Sequence, residues 1–245
     1  MEITSVYFIS LSIVSVFIFY LLNDKFKTPF LTILSCTFIA TYSINLLIYV
    51  LGFSLTNYII GISLHASKVK KRVLIFGLIL NLTQLTLLKY QSFIVEPFFQ
   101  LFTLNVDLDI LTTIIPPLGV SFFTLQGIGY LININMGWEK PERNFIHFLL
   151  YICFFPRFLS GPIERSNSFL PQIKQKIQFE EQRVTSGLRL ILFGLFKKVV
   201  IANQLAPLIG FTYGNLNAEI NQSFWIVLLV QPLWLYFDFS GYTDI

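Results

Sequence analysis

Residues 153–172, CFFPRFLSGPIERSNSFLPQ, decide how the rest of the chain is read. An apolar run enters this stretch from Phe145. Pro156 removes a backbone donor, and Gly161 followed by Pro162 forbids a continuous helix. Arg157 and Arg165 stand on either side of that break. In hydrocarbon every backbone polar group needs a partner, so a broken helix at membrane depth survives only where protein or a water-filled cavity covers it. A broken apolar segment flanked by arginines therefore points to part of a site. The competing reading is a plain helix end at a membrane surface, where Pro, Gly and Arg are also common.

The surrounding composition decides that a membrane is the relevant solvent. Of 245 residues, 55% are hydrophobic and only 12% charged, against about 25% charged in a soluble domain. Mean hydropathy is +0.70. No alternating ten-residue strands suggest a barrel, so the expected class is all-α: a polytopic transmembrane helical protein with a re-entrant broken segment near 145–162, forming one membrane domain over 1–245. The net charge of +4 sits in loops and carries no aromatic-basic groove, which argues against nucleic acid. Cys36 and Cys153 both lie in apolar runs, as small packing residues rather than a disulfide framework.

Outward from the break, Ile3–Leu22 is long enough to span once, and Glu2 with Asn23, Asp24 and Lys25 does not fit a signal peptide. Residues 29–64 carry no charge, and two short or tilted helices are expected to meet near 41–45. The loops 23–28, 65–72 and 135–144 are basic, whereas 95–110 and 211–222 contain no Lys or Arg. Spans are expected at 73–95, 111–134, 187–210 and 224–239. With the N-terminus outside, the positive-inside rule puts the basic loops in the cytoplasm. The basic segment 161–186 then falls on the same side as 135–144, so 145–160 must enter and leave on one side. In 163–185, Phe169, Leu170, Ile173, Ile177 and Phe179 suggest an amphipathic piece on the membrane surface.

Two further clusters carry charge where hydrocarbon is expected. Lys197 and Lys198 interrupt an apolar run at a cost of about 2.5 kcal/mol or more each. On an α-helix they point about 100° apart, so they need separate partners. The alternative is that both snorkel to the cytoplasmic interface, with Lys197 the better candidate. Asp238 and Asp244, in the closing YFDFSGYTD, stand ready to pair with basic residues, or else are cap residues in an interfacial aromatic belt with Tyr242. His65 and His147 are isolated, and no metal-ligand cluster, P-loop or Ser-His-Asp set is visible.

Several motifs occur together: NYIIG at 57–61, LGVSFFT at 118–124 with Tyr130, FPRFLSGP at 155–162, GLFKKV at 194–199 with Ile201 and Ala202, and YFDFSGYTD at 236–244. In this order and spacing the chain resembles the membrane-bound O-acyltransferase (MBOAT) family, in its alginate O-acetyltransferase-like branch. The resemblance implies a multi-pass enzyme of the cytoplasmic (inner) membrane that moves an acyl group from a cytoplasmic donor, acetyl-CoA or a carrier thioester, with no further cofactor and no metal. It implies as acceptor a secreted or cell-surface polysaccharide such as alginate, or a periplasmic or other extracytoplasmic acyltransferase partner. The family's catalytic histidine is expected beyond Ile245, so the chain matches the N-terminal portion and neither His65 nor His147 inherits that role. Pro156, Arg157, Gly161, Pro162, Arg165, Lys197, Lys198, Asp238 and Tyr242 are the expected donor-channel residues, the cations attracting an anionic donor. A transporter or channel subunit with a broken-helix substrate path is the alternative, although no inverted repeat supports it.

Overall fold

A computed structural model describes residues 5–90, 93, 118–159, 161–177, 179–214 and 220–245. Among these the secondary structure is helical, with no strand. The chain divides into two compact units, one of residues 17–177 and one of residues 1–16 with 178–245.

Helix α1 (Val6–Leu21) belongs to the smaller unit up to Val16 and enters the larger at Phe17; the larger continues with α2 (Asp24–Tyr42), α3 (Ile44–Ala66) and α4 (Lys70–Lys89). The break expected near 41–45 is at Ser43. Its backbone is extended, and its hydroxyl accepts the Leu46 N–H at 3.3 Å, so one residue ends α2 and caps α3. The expected loop 23–28 is instead mostly the first turn of α2. Asp24 and Lys27 pair there at 2.7 Å, with the acid at the helix N-terminus. Among the described residues, α3 and α4 are long and apolar enough to cross a membrane. The acidic loop expected at 95–110, and the start of the span expected at 111–134, lie largely outside the described residues.

The core of this unit gathers on α5 (Val120–Asn135) and α6 (Phe145–Cys153). Phe53 and Val50 of α3, Phe123, Tyr130 and Leu131 of α5, and Phe148 and Leu150 of α6 are buried together. A polar seam crosses this apolar core. Asn57 and Asn81 are fully buried and hydrogen-bond each other side chain to side chain, at 2.9 and 3.3 Å. An unpaired amide there would be costly, so the pair sets the register of α3 against α4.

After α6 the chain turns through 154–159 and returns without regular secondary structure into α7 (Ser166–Lys174). Phe169 and Leu170 of α7 are buried against this core. The surface-lying amphipathic piece expected over 163–185 is thus corrected. Its helix is shorter, and two of its apolar residues are spent on the protein interior, while Phe179 lies beyond the helix and stays exposed.

In the smaller unit, the span expected over 187–210 is three consecutive pieces: α8 (Glu181–Leu195), a π-helical segment (Phe196–Ala202) and α9 (Asn203–Gly214). These pack on α10 (Ile220–Asp244). The contact is closest at Gly194 and Gly241, where a Cβ on either would come within 3 Å of the other's carbonyl oxygen.

Candidate functional site

The break at 153–162 folds back on itself. Helix α6 has nine residues, about 13 Å of helix, less than half of a hydrocarbon core. Asn144 caps its start through the Ile146 N–H at 2.9 Å. Its far end is tied to α2, where the Phe155 N–H donates to Ser35 Oγ at 3.2 Å.

Arg157 organises the turn. One guanidinium nitrogen donates to the Tyr151 carbonyl at 2.6 Å, a C-terminal carbonyl of α6 with no partner inside the helix. The other pairs with Glu164 on the returning limb. The guanidinium lies 4.1 Å from the ring centre of Phe169, with Tyr151 and Phe154 also beside it. Only 7% of Arg157 is exposed. Gly161 donates to the Arg157 carbonyl at 2.9 Å and lies so close that a Cβ would meet Arg157 backbone at 2.5 Å. Gly119 supports the turn from α5. Its φ is +69°, and a Cβ would meet the Phe158 carbonyl oxygen at 2.4 Å, while Phe123 stacks on Phe158.

The two limbs are closed at their open end. Tyr151 donates its hydroxyl to the Glu164 carbonyl at 3.0 Å, so the return runs beside α6. Ser166 donates to Glu139, which precedes α6, and Asn133 of α5 donates to Ser166 at 3.2 Å. Glu142, 5% exposed, accepts the Arg143 and Asn144 N–H groups at 3.0 Å each, and its own N–H donates to Tyr130 Oη. Lys174, at the end of α7, reaches Glu142 at 2.6 Å. The stretch entering at 142 and the stretch leaving at 174 therefore meet at one end.

Electrostatics separate the two acids. Burial pushes the Glu142 carboxyl up, but Lys174 and the Asn144 N–H outweigh it and hold it below the usual carboxylate range. Burial raises Glu139, and the hydrogen bonds from Ser166 and Asn133 only partly oppose it.

In the smaller unit Lys197 and Lys198 each find an aspartate on α10. Lys198 Nζ is 2.6 Å from Asp238, and Lys197 pairs with Asp244 and donates to Ser240 at 3.0 Å. The separate partners required by the angle between neighbouring residues are both present. Tyr242 is half-buried on the same helix. Pro156 is half-buried in the turn, and Arg165 is exposed just before α7. Glu142, Glu164 and Glu139 were not among the expected site residues, and Phe169 was expected only in an amphipathic surface piece. Only the closeness of Glu164 to the break hinted at its role.

No family model matches the chain. Three curated proteins illustrate what it is similar to. It is 30% identical over 232 residues to "Probable alginate O-acetylase AlgI" of Pseudomonas aeruginosa, covering 93% of this chain and 44% of that protein. It is 30% identical over 254 residues to "Peptidoglycan O-acetyltransferase" of Helicobacter pylori, covering 92% and 48%. It is 29% identical over 132 residues to "Teichoic acid D-alanyltransferase" of Bacillus subtilis, covering 51% and 32%. The chain is homologous to the membrane-bound O-acyltransferases. It spans a little under half the length of the first two of these relatives. All three names describe group transfer rather than transport, which favours the transferase reading over the channel reading.

Proposed function

We propose that the chain is part of a multi-pass enzyme of the cytoplasmic membrane that transfers an acyl group from a thioester donor such as acetyl-CoA to a hydroxyl of a cell-surface or secreted polysaccharide, alginate in the first instance. The observation that carries this reading is the 30% identity to an O-acetylase over 93% of the chain. The relatives' names differ in acceptor but agree in acyl-type transfer. The final acceptor is the polymer itself or an extracytoplasmic acyltransferase that passes the group on.

The residues divide between holding shape and meeting charge. Pro156, Arg157, Gly161 and Pro162 form the turn that walls the donor path. Arg165, exposed beside it, is the first cation an anionic donor meets. Lys197 and Lys198 carry their charge at membrane depth because Asp244 and Asp238 balance it, with Tyr242 beside them. Paired in this way they exert little long-range attraction, and they act at short range. The general base that activates the acceptor hydroxyl is a histidine other than His65 and His147.

The test supplies radiolabelled acetyl-CoA to membranes from cells expressing the gene that encodes this chain, alongside membranes from a deletion strain. Ester-linked label in polysaccharide, lost in the deletion strain, is the expected result. Equal label in both overturns the reading.

A further inference from the structure

The returning limb covers a buried cation and is itself held down at its far end. Segment 162–174 brings Glu164 as counter-ion and Phe169 as a ring over the Arg157 guanidinium. Past the helix, Lys27 of α2 donates to the Ile177 carbonyl at 2.9 Å, which anchors the chain beyond the cover. Between the turn at Gly161 and that anchor, the cover is held by Tyr151 and Arg157 at Glu164, by Asn133 and Glu139 at Ser166, and by Glu142 at Lys174. Lys174 is half exposed, whereas Glu142 is fixed by two backbone N–H groups and by Tyr130. The lysine is thus the movable half of the latch. Beneath the cover, the Arg157 Nε–H is buried and has no hydrogen-bond partner among the described residues. A guanidinium in that state has unused capacity for a further acceptor.

We propose that segment 162–174 is a latched cover over Arg157, and that lifting it opens an anion-binding site for a phosphate-bearing acyl donor. Lifting removes Glu164 and Phe169 together. It leaves a guanidinium in a low-dielectric wall, the setting in which a bidentate contact to phosphate is strongest. The cover needs no hinge beyond Gly161 and the short extended stretch 175–177. Two acids outside the cover, Glu139 and Glu142, are among the groups that hold it shut, and the Glu142 contact is the one made by an exposed partner. The donor class rests on the acyl-transfer reading above; the cover and the anion site do not.

The experiment is arginine labelling by phenylglyoxal, mapped by mass spectrometry on the full chain in neutral detergent. Arg72, exposed and outside the cover, serves as the internal standard. Arg157 in the unaltered chain should label far more slowly than Arg72. Lys174→Gln, an exposed change that leaves the core intact, should speed Arg157 labelling about ten- to a hundred-fold, the worth of one hydrogen bond to a charged group, with Arg72 unchanged. Phe169→Ala should expose Arg157 independently of the latch, and Lys176→Gln should change nothing. Equal labelling of Arg157 and Arg72 in the unaltered chain overturns the cover. So does an Arg157 rate indifferent to both Lys174→Gln and Phe169→Ala.

Inorganic pyrophosphate is the anion probe in the Lys174→Gln chain. Protection of Arg157 by millimolar pyrophosphate supports the site, and absence of protection overturns it. Protection by phosphatidylglycerol in the micelle without pyrophosphate, and none by pyrophosphate, assigns the anion to a lipid headgroup and overturns the donor class. Failure of acetyl transfer with pyrophosphate protection intact removes the acyl-transfer reading and leaves the site standing.

Discussion

Lys174 Nζ lies 2.6 Å from Glu142 Oε2, which joins the end of α7 to the residue that introduces α6. Between them the chain enters, turns at Arg157 and comes back. Reporter fusions placed after Lys140 and after Lys174 are therefore expected on the same side of the membrane. Opposite sides would mean that 145–160 crosses fully and that the Lys174–Glu142 pair does not form in the membrane.

Arg157 holds the turn by three kinds of contact at once. Removing it leaves the Glu164 carboxylate without its cation and a C-terminal carbonyl of α6 without its donor. Arg157→Gln is expected to cost about 3–5 kcal/mol, the range for breaking one half of a buried pair. Arg157→Lys keeps the charge but loses the planar fork over Phe169, and should fall between. The paired change Arg157→Met with Glu164→Leu should recover much of the loss. Thermal unfolding in detergent ranks the variants, and an unchanged midpoint for Arg157→Gln would remove the turn's keystone.

Acidification should loosen the same fold-back through Glu142. Its carboxyl is held lower in the folded chain than in the unfolded one, net of burial, because Lys174 and the Asn144 N–H favour the anion. A depressed folded pKa adds stability that is fully present above the unfolded value, about 4.3, and is lost as pH falls through the folded value. Glu139 works in the opposite direction. Burial raises its carboxyl, so its ionisation at neutral pH costs stability that acid returns. Glu142→Gln should therefore flatten the acid fall in thermal midpoint, while Glu139→Gln should steepen it. A steeper fall in Glu142→Gln contradicts the assignment.

The pairing of Lys198 with Asp238 is expected to be interchangeable in sign. Lys198→Asp alone puts two carboxylates together beside the Gly194 and Gly241 contact, and the amount of protein in the membrane should drop. Adding Asp238→Lys restores the attraction, and a recovery of about 1.5–3 kcal/mol in the double-mutant cycle is expected. Additive losses would show that the 2.6 Å contact contributes nothing.

Arg165 stands apart from these because it is exposed. Arg165→Gln should leave unfolding within about 0.5 kcal/mol of the unaltered chain. Its effect should appear at limiting donor, as a rise in KM for acetyl-CoA that grows as salt is lowered. A fall in turnover at saturating donor, with KM unchanged, would place Arg165 away from donor capture.

Much of this was legible in the residues. Pro156 and the Gly161–Pro162 step forbid a helix on backbone grounds alone, and the chain turns there. The uncharged run 29–64, too long for one span, required two helices meeting near 41–45, and the break is at Ser43. Lys197 and Lys198, neighbours in an apolar helical run, demanded separate counter-ions, and Asp238 and Asp244 were in view. These inferences rest on local chemistry: φ restriction, missing donors, and the cost of charge in hydrocarbon.

The pairing of distant residues was not legible. Nothing in the spacing of 142 and 174 announces an ion pair, nor does Phe169 declare that it will cover Arg157 rather than rest on a membrane surface. Arg157 seemed from sequence a cation waiting for a ligand. Folded, it is already occupied by Glu164, by a helix-end carbonyl and by an aromatic face. A sequence determines which groups need partners, because that follows from each residue's chemistry. Which partner satisfies each need depends on what the turn, the glycine contacts and the packed core bring within about 3 Å, and only the tertiary structure decides that.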